Sequence, residues 1–155
     1  VASFTIMAAG DPLAATEAYV AARPALAGWL AGKNWQQQLA RLFAALGGGI
    51  PDQPSLWTHN DWHPSNLLWA EDGRVAAIID FGLSTRTCAL HDLATAIERT
   101  AFRWLDLGQE AALGDVDTAI AMLHGYRTVR ALSRTDMDSL IRLLPLVHVE
   151  FALSE

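Results

Sequence analysis

Disulfide bonding within the chain is excluded by count, because the 155 residues hold a single cysteine, Cys88. Lysine is equally scarce, with Lys33 alone. Lys and Arg total 11 against 17 acidic residues, a net charge of -6. That balance opposes binding to a phosphate backbone, so nucleic acid is not an expected partner. No apolar run approaches the roughly 20 residues that span a bilayer, since Arg, Pro, Gly and Gln interrupt the Ala-rich segments, and no membrane association is expected. The start also lacks a basic segment followed by a long apolar run, which together with the lone cysteine points to a cytoplasmic setting. Neither an internal repeat nor a long Gly/Ser/Pro linker divides the chain, so it reads as one compact unit.

What is present suits a globular fold: 52% of the residues are hydrophobic and 18% charged, enough to bury a core. The chain begins at Val1 and enters a helical pattern almost at once. The expectation is therefore that it was cut from a longer polypeptide.

Asp11-Pro12 reads as a helix cap and first helical residue, and Pro24 divides the following Ala-rich segment into two short helices before Gly32. Leu39, Leu42, Phe43 and Leu46 form one apolar stripe that Gly47, Gly48 and Gly49 should end. From Ser55 the pattern shortens to strands: Leu56–Thr58, Asn66–Trp69 and, after the turn at Glu71–Arg74, Val75–Ile79. Helical signals return at 91–104, 115–126 and from 136 onward. Thr135 and Asp138 have the spacing of a capping box for the last helix, whose buried side should carry Leu140, Ile141, Leu144, Val147 and Phe151. Pro145 predicts a kink there.

The chemistry concentrates in two segments. In His59-Asn60-Asp61-Trp62-His63-Pro64-Ser65-Asn66, His-x-Asp is followed by Asn five residues after the Asp, the spacing of a kinase catalytic loop. Ile78-Ile79-Asp80-Phe81-Gly82 is an apolar run ending in Asp-Phe-Gly, the form of a metal-binding kinase loop. The spacing has a physical purpose: one loop offers a carboxylate to the acceptor hydroxyl and an amide oxygen to Mg²⁺, and the end of a neighbouring strand brings a second carboxylate. On this reading Asp61 orients the attacking hydroxyl and takes its proton, while Asn66 and Asp80 hold Mg²⁺ with ATP as the phosphoryl donor. Each Asp has a plainer alternative as a turn cap at a strand end. His59 reads as a buried brace for the loop rather than a reacting group, and His63 as a weak candidate for direct contact.

Together these segments resemble the aminoglycoside phosphotransferase superfamily, which includes choline, homoserine and methylthioribose kinases. The residue after the first His, ordinarily Gly in that group, is Asn60 here. The resemblance implies that His91-Asp92-Leu93-Ala94 opens a helix whose Asp92 braces the catalytic loop, a structural rather than catalytic role. Gly125-Tyr126 and Arg130-Ala131-Leu132-Ser133 bear a loose likeness to homoserine kinase-like members, where Pro commonly stands at the place of Ala131. The implied fold is α+β, a protein-kinase-like C-terminal lobe, mostly α-helical, with a small β-hairpin carrying the catalytic and metal-binding loops. Residues 1–155 would all belong to that lobe, and the N-terminal nucleotide-binding lobe would be absent from the chain.

The interval from Asp80 to Asp92 leaves no room for an activation loop, so the expected acceptor is a small molecule with a hydroxyl group: an amino alcohol, a homoserine-like compound, a sugar or an aminoglycoside. Gly47-Gly48-Gly49 lacks the spacing of a phosphate-covering loop, and Lys33 falls in a helical linker, so the fragment alone is expected to be inactive. Asp106, Glu110, Asp115, Asp117 and Glu150 read as a solvated acidic face in preference to a cation site. Two rivals remain. One is a pseudokinase or interaction module with the same fold. The other is a metal-dependent hydrolase, for which the alternation His59, Asp61, His63 would supply ligands, although Pro64 breaks any strand there and Asp-Phe-Gly is left unexplained.

Overall fold

In the computed structural model, residues 10–46, 53–106 and 113–154 are described. Among these residues, six α-helices and four short strands follow in the order α1 (Pro12–Ala21), α2 (Pro24–Leu30), α3 (Trp35–Ala45), β1 (Ser55–Thr58), β2 (Leu67–Trp69), β3 (Val75–Ile78), β4 (Thr85–Cys88), α4 (Ala89–Ala101), α5 (Val116–Val129) and α6 (Arg134–Ser154). The protein is mostly helical, with two small antiparallel sheets.

Local chemistry explains the early boundaries. The Asp11 carboxylate accepts from the Leu13 and Ala14 amides at 3.0 Å each, and Pro12 supplies a preset φ with no amide to satisfy. Pro24 likewise supplies a preset φ at the start of α2, there without a side-chain cap. Helices α2 and α3 both pack on α1, and the α3 stripe of Leu39, Leu42, Phe43 and Leu46 is half-buried. Lys33 lies in the turn between α2 and α3, its ammonium 3.0 Å from the centre of the Trp29 ring. The glycines expected to end α3 lie outside the described residues.

The core sits between α4 and α6, with α5 alongside. Leu90, Leu93, Ala94 and Ile97 of α4 meet Leu140, Leu143 and Val147 of α6. Two side-chain pairs also cross this interface: His91 with Glu150 at 3.0 Å, both buried, and Glu98 with His148 at 2.9 Å, the imidazole partly exposed. Cys88 enters the same core, and its burial raises the thiol above its ordinary pKa, leaving it protonated and unreactive near neutrality.

Helix α6 departs from expectation at its start and in its buried face. The capping box forms two residues earlier, where the Ser133 amide and hydroxyl both donate to Asp136 and the Asp136 amide donates back to the Ser133 hydroxyl. Those bonds hold the Asp136 carboxyl below its ordinary pKa. The earlier cap gives the helix two more residues for the same kind of closure. The inward face runs through Leu140, Leu143, Leu146 and Val147, and Leu144 packs against it; of the anticipated stripe, Ile141 is 60% exposed. Helix α6 continues through Pro145, whose missing N–H leaves the Ile141 carbonyl without its usual helical donor.

Candidate active site

The strand pattern creates the site. Strands β1 and β4 pair antiparallel, with Thr58 opposite Thr85; β2 and β3 form a hairpin, with Leu67 opposite Ile78. The segment 59–66 leaves β1 and enters β2, while 79–84 leaves β3 and enters β4. Both loops are therefore pinned at the same two places and must run side by side. Strand β4 was not expected from the sequence, and it changes the construction: the loops lie between two ribbons rather than on one hairpin.

Short bonds stitch the loops together. The Asp61 amide donates to His59 Nδ1 at 3.3 Å, so Nε2 carries the ring proton and donates to the Ile79 carbonyl at 2.9 Å. Both nitrogens of His59 are thereby committed, which leaves neither for a metal. The Phe81 ring lies 4.8 Å from the His59 ring. Asn60 Nδ2 donates to the Leu83 carbonyl at 3.1 Å, and Asn60 Oδ1 accepts from the Thr58 and Thr87 hydroxyls.

Asn60 and Asp80 are the non-glycine residues with positive φ among those described, at 60° and 59°. Left-handed backbone favours Gly, with Asn and Asp next best. Asn60 thus suits a backbone that Gly would also suit, and its amide adds three contacts that Gly could not make.

Asp61 and Asn66 are brought together directly. Asn66 Nδ2 donates to the Asp61 carbonyl at 2.9 Å and to Asp61 Oδ2 at 3.0 Å. With the amide nitrogen committed, Asn66 Oδ1 remains as a hard oxygen suited to Mg²⁺. Asp80 occupies the neighbouring loop, exposed, with Oδ1 accepting from the Gly82 amide at 3.3 Å. The donor set of one amide oxygen and one carboxylate fits a magnesium ion that takes its remaining ligands from phosphate and water. His63 approaches Asp61 Oδ2 only to 3.7 Å, its Nδ1 being 2.7 Å from Ser65 Oγ. No group of three or more His, Cys, Asp or Glu among the described residues is arranged to hold a metal ion, as the hydrolase reading would require.

Asp92 lies in the first turn of α4, where a carboxylate is favoured by the helix dipole. Its Oδ1 accepts from the Asn60 amide at 2.8 Å and its Oδ2 from the His59 amide at 3.3 Å. The cap of α4 is Cys88 rather than Asp92. Replacing Asp92 with Ala should leave two loop amides unbonded and lower the unfolding free energy by about 1–3 kcal/mol. Thermal denaturation checks this, and an unchanged melting temperature would show that the loop does not depend on the brace.

One residue of the site escaped the sequence reading. Arg99 on α4 places Nη1 3.0 Å from Asp61 Oδ1. The signal was its position seven residues after Asp92, two turns along the same helix face. Of the acidic residues read as a solvated face, Glu150 is buried against His91, and Asp115 caps α5 through the Thr118 amide, which lowers its pKa. Glu110 lies outside the described residues.

No helix of the described residues is long and apolar enough to cross a membrane. Residues 5–132 match the family described as the phosphotransferase enzyme family. The homoserine kinase of Caulobacter sp. (strain K31) is 28% identical over 104 residues, which cover 67% of this chain and 30% of that protein.

Proposed function

Because the chain belongs to the phosphotransferase enzyme family, we propose that it forms the C-terminal catalytic lobe of a kinase that moves the γ-phosphoryl group of ATP to a hydroxyl of a small molecule. The observation that carries this reading is the clasp of Asp61 by Asn66 within a loop tied to the Asp80 loop through His59 and Ile79. Such a clasp holds a carboxylate and an amide oxygen in fixed relation, as in-line transfer requires.

In this reading Asp61 accepts the hydrogen bond of the acceptor hydroxyl, orients its oxygen towards the γ-phosphorus and takes the proton as the new P–O bond forms. The Asn66 contact keeps the carboxylate from rotating. Asn66 Oδ1 and Asp80 hold Mg²⁺, which supplies charge neutralisation for the phosphates. The hairpin exposes Leu68, Trp69, Val75 and Ile78, followed by Ile79 and Phe81, an apolar surface suited to a second, β-rich lobe gripping the nucleotide from the other side. The isolated lobe then turns nothing over.

The short path from Asp80 to Asp92 is filled by β4 and the start of α4, which favours a small acceptor over a protein. Amino alcohols, homoserine-like compounds, sugars and aminoglycosides are the classes to try. Homoserine is the acceptor to try first, as the relative from Caulobacter is named a homoserine kinase.

The test is Mg²⁺-dependent ATP consumption by the full polypeptide carrying this chain, measured against that acceptor panel. One acceptor should stimulate turnover, and chelation of Mg²⁺ should remove the stimulation. Turnover that no acceptor raises would overturn the reading in favour of an interaction module.

A further inference from the structure

The Asp61 carboxylate is gripped at both oxygens by different parts of the fold. Asn66 of the same loop reaches Oδ2, and Arg99 of α4 reaches Oδ1 at 3.0 Å. Both partners of the ion pair are largely buried, their side chains 18% and 15% exposed for Arg99 and Asp61. The arginine is itself held flat, its guanidinium 3.9 Å above the Phe151 ring of α6, and Phe151 packs edge-on against Trp104 at 4.6 Å. An arginine stacked in this way has already given up much of its rotamer freedom, so the ion pair costs little further entropy.

Helix α4 thus reaches the loop twice from one face. Asp92 fixes the backbone at His59 and Asn60, and two turns later Arg99 fixes the tip of the Asp61 side chain. We propose that Arg99 is a positioning residue for phosphoryl transfer, setting the orientation of the Asp61 carboxylate through the ion pair and acting on the acceptor only through Asp61. The inference rests on the reading of Asp61 as the group that receives the acceptor hydroxyl. Nearby His63, 3.7 Å from Oδ2, gives no equivalent support.

Misplacement of a reacting group by about 1 Å can cost on the order of 10²-fold in rate. In the full polypeptide, with the acceptor found in the panel, Arg99→Ala should lower kcat by about 10- to 100-fold, with the KM for ATP unchanged. Added guanidinium ion should restore part of the loss where ammonium does not, because only the planar cation matches the site between the carboxylate and the Phe151 ring. Arg99→Lys should fall between, and Phe151→Leu, which keeps the charge but removes the shelf, should show a smaller drop. In an Asp61→Asn background, Arg99→Ala should add no further loss. An unchanged kcat, a rise in acceptor KM alone, or an Arg99→Ala loss in the Asp61→Asn background as large as that in the unaltered protein would overturn the inference while leaving the phosphotransferase reading standing. Absence of acceptor-stimulated turnover in the unaltered protein would instead overturn that reading, and this inference with it.

Discussion

An Asp61→Asn protein is expected to bind ATP as before and to lose about 10²- to 10⁴-fold in kcat, the range that a positioned general base supplies. Asn is nearly isosteric, so the loop backbone keeps its bonds from Asp92 and its tie to Ile79, and the effect can be assigned to the carboxylate. The substitution also removes the counter-charge of Arg99, 3.0 Å away, so a modest fall in melting temperature should accompany the rate loss. Asp61→Glu separates charge from placement. It keeps the carboxylate but pushes it past the Asn66 and Arg99 contacts by about one bond length, enough to cost on the order of 10²-fold. Steady-state rates at saturating acceptor decide the matter, and an Asn variant within a few-fold of the parent would reduce Asp61 to the turn cap that its position at a strand end also allows.

The parts of this site that were legible in the sequence are those whose spacing is fixed by the backbone. His59, Asp61 and Asn66 lie within one loop, and Asp80 ends a strand whose hairpin is punctuated by a turn, so local order was enough to place them. Asp11-Pro12 and Pro24 were legible for the same reason, since caps and first helical positions depend on adjacent residues. What stayed hidden depends on partners distant in sequence. Strand β4 carries Thr85-Arg86-Thr87-Cys88, a polar run without apolar alternation, and it is a strand because β1 lies beside it. In α6, Leu140 and Val147 were legible as core, whereas Ile141 is 60% exposed because which side of a helix is covered depends on the neighbour it meets. Glu150 looked like surface charge until His91 of α4 supplied its buried partner. Arg99 was hidden in the same way, as a cation on an amphipathic helix whose target lies 38 residues earlier (99 − 61).

Asn60 joins these two kinds of information. As a sequence feature it departed from the Gly expected by resemblance, and its φ of 60° lies in the left-handed region that Gly, and after it Asn, adopts at low cost. The Asn60 amide then ties the Thr58 and Thr87 hydroxyls and the Leu83 carbonyl to the loop. The geometry of the 59–66 loop is therefore held by side-chain bonds in addition to backbone conformation.

Replacement of Asp80 should have the other large effect, and the choice of variant decides what is learned. Asp80 has φ 59°, so Ala would add left-handed strain of about 1–2 kcal/mol to any functional loss. Asn and Gly avoid that confusion. Asp80→Asn keeps the left-handed tolerance and an oxygen for the Gly82 amide while removing the negative charge; Asp80→Gly relieves the backbone and removes the side chain entirely. If Asp80 holds Mg²⁺, both variants should lose about 10³-fold or more in acceptor-dependent ATP turnover, because the transferring phosphoryl group loses its charge compensation. The Asn variant should recover in part at high Mg²⁺ and the Gly variant less, since only Asn still offers an oxygen to the ion. Thermal stability should change little in either, as the side chain is exposed and makes one 3.3 Å bond to its own turn. A turn cap predicts much smaller losses: Asn would keep full activity, and Gly would lose only what the weakened turn costs. The two accounts therefore diverge most at Asp80→Asn, a substitution that is almost silent for the fold and close to complete for the metal site.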